Sequence, residues 1–146
     1  MDRKRGYTLV EILAVLAIIG IAVSLAQVRF ARSAAQALED EARRIALVLE
    51  FARDEAMTRG CTLAWIAASD THRIECRRTT AGYPLHPWPH GIALERVSIA
   101  GVPVSRESPL LFTPSGINMP FELVLGSEGN RVLISGDALG RVRLSK

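Results

Sequence analysis

No motif that carries catalytic chemistry occurs in this 146-residue sequence. It has no phosphate-cradling glycine loop, nucleophile elbow or zincin spacing, so neither an enzymatic activity nor a cofactor is expected. Cysteine is scarce: only Cys61 and Cys76 occur, without the C-x-x-C spacing of a zinc site. His86 and His90 stand four apart, but Pro87 and Pro89 exclude the helix on which such a pair would share a face. No metal site is expected. Charge of one sign is not in large excess either, since 18 basic and 15 acidic residues leave a formal balance of +3. Residues 1–6 hold three of those bases and one acid, and without them a single net positive charge remains. Global charge therefore gives no warrant for nucleic-acid binding. Internal repeats and low-complexity segments are missing as well.

Residues 28–59 contain neither proline nor glycine, so nothing in them breaks a helix. Leu38, Ala42, Ile45, Leu49, Ala52 and Ala56 recur at alternating spacings of four and three, which places them on one helical face. Glu39, Arg43, Glu50, Asp54 and Glu55 lie elsewhere around it. Gly60 is the expected stop, with Arg59 suited to the negative end of the helix dipole. A second, smaller stripe at Leu47 and Phe51 reads either as ordinary exposed apolar residues or as a side that packs on a neighbouring subunit.

What the sequence has in abundance is one apolar run. After Met1-Asp2-Arg3-Lys4-Arg5 come Gly6-Tyr7-Thr8-Leu9-Val10-Glu11, and the chain then stays apolar, broken only by Ser24, until Gln27. Residues 7–26 as a helix would measure about 30 Å, the hydrocarbon thickness of a bilayer. Their large aliphatic side chains contribute about −5 kcal/mol to insertion, against at most about +3 kcal/mol for an acid at the centre. Insertion prevails, and Glu11 lies one turn from the start, where it costs less. An acid inside a membrane is a functional candidate that calls for a cation to meet it. The basic head keeps the N-terminus cytoplasmic and sends the remainder across the membrane. A cleaved signal peptide would have a shorter apolar region and small residues directly after it, and Val23-Ser24-Leu25-Ala26-Gln27 is a poor site of that kind.

Beyond Gly60 the period changes. Residues 61–66 and 73–76 read as strands around a turn near Ala68-Ser69-Asp70. If Cys61 faces Cys76 across this hairpin, the same register pairs Leu63 with Ile74 and Trp65 with His72, all on one face. Directly opposed residues are close enough for a disulfide, which an oxidising compartment would favour; two buried thiols are the alternative. Residues 79–91, with Pro84, Pro87 and Pro89, read as a loop with no room for a regular element. Short strands are expected at 92–99, 110–113, 121–125, 132–135 and 141–144. Turn formers separate them, among them Gly101-Val102-Pro103, Pro114-Ser115-Gly116 and Gly126-Ser127-Glu128-Gly129-Asn130. The fold class is therefore α+β: a long N-terminal helix, one half transmembrane and one half amphipathic, packed on a small antiparallel β domain.

The residues Arg5-Gly6-Tyr7-Thr8-Leu9-Val10-Glu11 and the apolar run after them closely resemble the start of type IV prepilins and type II secretion pseudopilins. Ala52-Arg53-Asp54-Glu55-Ala56 is similar to a helix segment of H-type minor pseudopilins and related minor pilins. Leu111-Phe112-Thr113-Pro114-Ser115-Gly116 with Pro120-Phe121 resembles the Phe-x-Pro-x-Gly and Pro-Phe pattern of the H type specifically. The resemblance implies a pilin-like fold with a leader at 1–6, a transmembrane half at 7–27, an amphipathic periplasmic half at 28–60 and a β domain at 61–146. It implies that a prepilin peptidase cuts between Gly6 and Tyr7 and methylates the new amine of Tyr7, where most members have Phe. Glu11 then neutralises the amine of a neighbouring subunit during assembly. The implied function is that of a minor pseudopilin: a single-pass inner-membrane subunit with a periplasmic C-terminal domain. It would assemble with other major and minor pseudopilins to support export of folded proteins. The alternative is a minor pilin of a type IV pilus. Gly140-Arg141-Val142-Arg143 is similar to a motif in minor pilins that take up DNA, where Arg141 and Arg143 would contact phosphates. A solvated, charge-protected edge strand is the plainer reading of those arginines, and nucleic acid is not an expected partner. A monomeric anchored domain would need neither the peptidase motif nor Glu11.

Overall fold

The computed structural model describes residues 9–77 and 83–145, leaving aside the side chains of residues 25–33. The one helix among them, α1 (Leu9–Arg59), is followed by nine strands: β1 (Leu63–Ala67), β2 (Thr71–Cys76), β3 (His86–Pro87), β4 (Ala93–Ile99), β5 (Val102–Val104), β6 (Leu110–Phe112), β7 (Phe121–Ser127), β8 (Asn130–Gly136) and β9 (Val142–Ser145). The chain divides into two compact units, residues 1–34 and 35–146.

In the first unit the described side chains of α1, from Leu9 to Ser24, are all exposed. Among the described residues no helix is long and apolar enough to cross a membrane. Tyr7 and Thr8 at one end of the expected span, and Leu25 and Ala26 at the other, lie outside the described side chains.

The second unit has a single core. Leu38, Ala42, Ile45, Leu49, Ala52 and Ala56 are completely withdrawn from water, so the stripe expected from spacing is the buried face of α1. It joins Leu63, Trp65 and Phe112 from one sheet with Leu123, Leu125 and Ile134 from the other. The first sheet has the order β3-β2-β1-β6 and the second β5-β4-β7-β8-β9, and every pairing is antiparallel. The helix ends as its sequence demands. Gly60 takes φ 62°, and Cys61 N–H donates to the Ala56 carbonyl at 3.2 Å, the long closing bond of a glycine-capped helix terminus.

Several expectations need correction. Cys76 lies opposite Leu63 rather than Cys61, and Trp65 opposite Ile74 rather than His72. The hairpin turn is centred one residue later than expected, which slides the register by two and leaves every side chain on its expected face. The segment 79–91 does hold a regular element, since β3 pairs with Thr71 and His72. Its two residues include Pro87, which an outer strand tolerates. Val102 and Pro103 belong to edge strand β5 rather than to a turn. The β7–β8 turn is tighter than the five-residue separator suggested: Ser127 pairs with Asn130, and Glu128 and Gly129 have φ 48° and 84°. Positive φ at both central residues matches the right-handed twist of the strands they join.

Gly136 sits opposite Phe121, and a Cβ there would fall 2.2 Å from the buried ring. The ring is buried in the core, so Gly136→Ala should cost about 1–3 kcal/mol through overpacking. A lowered denaturation midpoint with an unchanged denaturant slope would show this.

Candidate functional site

The junction of Gly6 and Tyr7 lies outside the described residues. Glu11 stands in the first turn of α1 with its side chain exposed, where an acid complements the positive end of the helix dipole.

The cysteines meet despite the shifted register. They occupy diagonal positions on one face, and their Sγ atoms lie 2.9 Å apart as two thiols, Cys61 buried and Cys76 half-buried. The hydrogen bond from Cys76, reinforced by burial, raises the Cys61 thiol above its usual range and disfavours its thiolate.

The C-terminal arginines do not form a bare basic pair. Asp137 Oδ1 accepts from the backbone N–H groups of Leu139 and Arg141 at 2.9 and 3.0 Å, and Oδ2 accepts from Arg141 Nε at 2.9 Å. The backbone bond from Arg141 is foremost in holding this carboxyl below its ordinary value. Arg141 is therefore a clamp on the β8–β9 turn rather than an outward strand residue. Arg143 is exposed on β9, while Arg131 pairs with Glu95 at 2.7 Å. Two of the cations that a phosphate backbone would need already have carboxylate partners.

A polar joint inside the second unit was not foreseen from the sequence, where His72 figured only as a cross-strand neighbour of Trp65. His72 is 1% exposed and lies between α1 and the first sheet. Trp65 Nε1–H donates to its Nδ1 at 3.3 Å, while its Nε2 faces Arg44 Nη2 at 3.2 Å and Glu41 Oε1 at 3.9 Å. Glu41 is itself buried and receives two bonds from Arg44, at 2.9 and 2.6 Å. His86 stacks on the ring at 5.5 Å between centroids and Trp88 at 4.8 Å. A buried tryptophan needs an acceptor for its only N–H, and His72 shares a strand face with Ile74 and Cys76; those two signals could have found the pair.

Both ring nitrogens face N–H donors, and a neutral imidazole has one acceptor nitrogen, so only one of the two contacts is a hydrogen bond at a time. Burial, then the positive charges of Arg44 and His86, lower the His72 pKa to about 4. A histidine depressed in the folded state contributes stability that is fully present above the unfolded value near 6.5 and is lost as pH falls to about 4, because the unfolded chain takes up its proton first. We expect wild-type protein to lose about 2–3 kcal/mol more than His72→Asn between pH 7.5 and 4.5, measured by denaturant titration at each pH.

A chain with a prepilin-like start on a long helix, the second part of which closes two small antiparallel sheets, is a pilin-like protein. Residues 1–26 match the prokaryotic N-terminal methylation motif, and residues 41–140 match the family described as type II transport protein GspH. The chain belongs to that family and is a minor pseudopilin of the H type in type II secretion. Among solved structures it is similar to the minor pseudopilin EpsH from the type 2 secretion system of Vibrio cholerae, with a TM-score of 0.57 and 16% identity over 74% of this chain and 94% of that one. No curated protein matches it. The type IV pilus reading is not favoured.

Proposed function

We propose that the chain is made as a precursor, cut by a prepilin peptidase between Gly6 and Tyr7, and methylated on Tyr7. Residues 7–27 then anchor it as a single pass in the inner membrane, with residues 28–60 and the β domain at 61–146 in the periplasm. There it joins other major and minor pseudopilins in a filament that supports export of folded proteins, as a structural subunit without catalysis. The observation that carries this reading is the Gly6-Tyr7-Thr8-Leu9-Val10-Glu11 sequence ahead of an apolar run, in a chain of the type II transport family.

Glu11 acts as the register device. Cleavage creates an α-amino cation at the mouth of the helix, and in a low-dielectric setting a carboxylate four residues along a neighbouring helix attracts it strongly. An unpaired charge there would be costly, so subunits settle where the two meet. Mass spectrometry of protein from membranes should find a methylated Tyr7 at the N-terminus. Glu11→Ala should keep that processing and membrane insertion while cross-linking to partner pseudopilins falls. A chain starting at Met1, or assembly unchanged in the variant, would overturn the proposal.

For Cys61 and Cys76 we infer a disulfide in the oxidising periplasm. A disulfide-bearing oxidant would accept the two hydrogens as the S–S bond forms, and the sulfurs would close from 2.9 Å to the bonded distance of about 2.05 Å. Closing so short a loop contributes about 3 kcal/mol by the chain-entropy argument. The non-reduced protein should be lighter by two hydrogens and resist alkylation; rapid alkylation of both cysteines before reduction would refute the bond.

A further inference from the structure

Cys61 and Cys76 share a contact but not an environment. Cys61 is 8% exposed and belongs to the core, one residue past the glycine that stops α1, where its N–H is tied to the Ala56 carbonyl. Cys76 is half-buried, packs against that core from outside it, and is the last residue of β2. Strand β3 pairs with β2 at Thr71 and His72 alone, so among the described residues no strand lies on the outer side of β2 at its Cys76 end. A reagent therefore has a lateral approach to Cys76, whereas little of Cys61 meets solvent. The two sulfurs, 2.9 Å apart, also differ in their hold on a proton. Their hydrogen bond, then burial, raises the Cys61 thiol and keeps it protonated. Once Cys76 loses its proton, the Cys61 S–H can donate to the thiolate in return, which favours the anion on the more accessible sulfur.

We propose that Cys76 is the entry point for thiol–disulfide exchange and Cys61 the resolving cysteine, with a disulfide-bearing oxidant as the partner. The assignment rests on the disulfide inferred for this pair and adds the order in which the two sulfurs react. Cys76 Sγ attacks one sulfur of the oxidant, a mixed disulfide forms, and the oxidant's other sulfur leaves as a thiolate that takes up the Cys76 proton. With Cys76 Sγ so bonded, it can no longer hold the Cys61 proton as a thiolate would. The foremost cause of the raised Cys61 value is then gone, while the Arg59 cation, which lowers it, remains. Cys61 Sγ, already alongside, next attacks Cys76 Sγ at a high effective concentration. The internal S–S bond closes, and the oxidant's first sulfur leaves and takes up the Cys61 proton. The cysteines lose two electrons and two protons, and the oxidant gains both as two thiols. In the reverse order the first half of the oxidant would have to lodge against the core at the helix stop, where Cys61 lies.

The test treats the reduced full-length chain in detergent with oxidised glutathione, quenches it with acid at intervals and locates the adducts by peptide mass spectrometry. In wild-type protein the early glutathione adduct should lie on Cys76 and give way to the internal bond. Cys61→Ser should retain glutathione on Cys76, while Cys76→Ser should acquire it on Cys61 at least about tenfold more slowly. Wild-type protein decides the order even where Cys61→Ser disturbs the core, because limiting iodoacetamide on the reduced chain should mark Cys76 about tenfold faster than Cys61. Early adduct or label on Cys61, or equal rates at the two cysteines, would overturn the order while the internal disulfide stands. A glutathione adduct that persists on wild-type Cys76 without closing would overturn the resolving role of Cys61 and the disulfide with it, as would two thiols that glutathione leaves untouched.

Discussion

The stripe of Leu38, Ala42, Ile45, Leu49, Ala52 and Ala56, fully withdrawn from water, is the surface on which the second unit is built. Neither sheet is large enough to enclose a core alone. Four strands on one side and five on the other each bury one face only because α1 and the opposite sheet supply the rest. Alanine at three of the six positions of the stripe, Ala42, Ala52 and Ala56, keeps the helix surface shallow, so that Trp65, Phe112 and the leucines of β7 can approach it. Closeness of that kind recurs at Gly140, where a Cβ would fall 2.1 Å from Arg53 Cδ on α1.

The same closeness explains why polar groups near the helix are so completely engaged. Glu41 and His72 lie where water cannot reach, and a buried charge without partners would cost more than the core could offset. Glu41 is neutralised by Arg44, and His72 escapes the difficulty by staying neutral. A hydrophobic pair at these positions would pack as well but would have no preferred alignment. The indole donor, the imidazole acceptor and the Arg44–Glu41 pair meet in one arrangement only, which ties the register of β1 and β2 to that of α1.

The helix, its buried face and its stop at Gly60 were legible because each rests on a strict local period or on backbone sterics. The strand positions were legible to within a residue or two for the same reason. The β1–β2 register was not, because a slide by two preserves the inside–outside alternation that sequence patterning reports; Leu63, Trp65 and Ile74 remain buried in either register. What selected between them is the placement of the turn and the partnership of Trp65 with His72, a tertiary contact with no local signature. Strands β3 and β5 were hidden by prolines, which mark turns far more often than outer strands. Of the candidate sites, the cysteine contact was legible and its diagonal geometry was not. Arg141 was misjudged because the alternation of Arg141-Val142-Arg143-Leu144 says nothing about an aspartate four residues earlier that would claim it.

The disposition of charge also bears on how such a subunit recognises others. On the second unit, among the described residues, four of the eight exposed arginines are matched locally: Arg43 with Glu39, Arg59 with Glu55, Arg131 with Glu95 and Arg141 with Asp137. Pairs of this kind contribute little to stability, but they cancel the field at distances beyond a Debye length, about 8 Å at physiological salt. Long-range steering is therefore weak, and recognition falls to short-range features: apolar surface such as the Leu47–Phe51 ridge, and polar groups that act only once water has been excluded. In the assembly we propose, Glu11 would belong to the second kind. Its attraction for an amine would be slight in water and strong in hydrocarbon, so it would discriminate registers only after two helices already lay side by side. The order of assembly on that proposal follows from the difference in medium: apolar contact first, charge pairing afterwards.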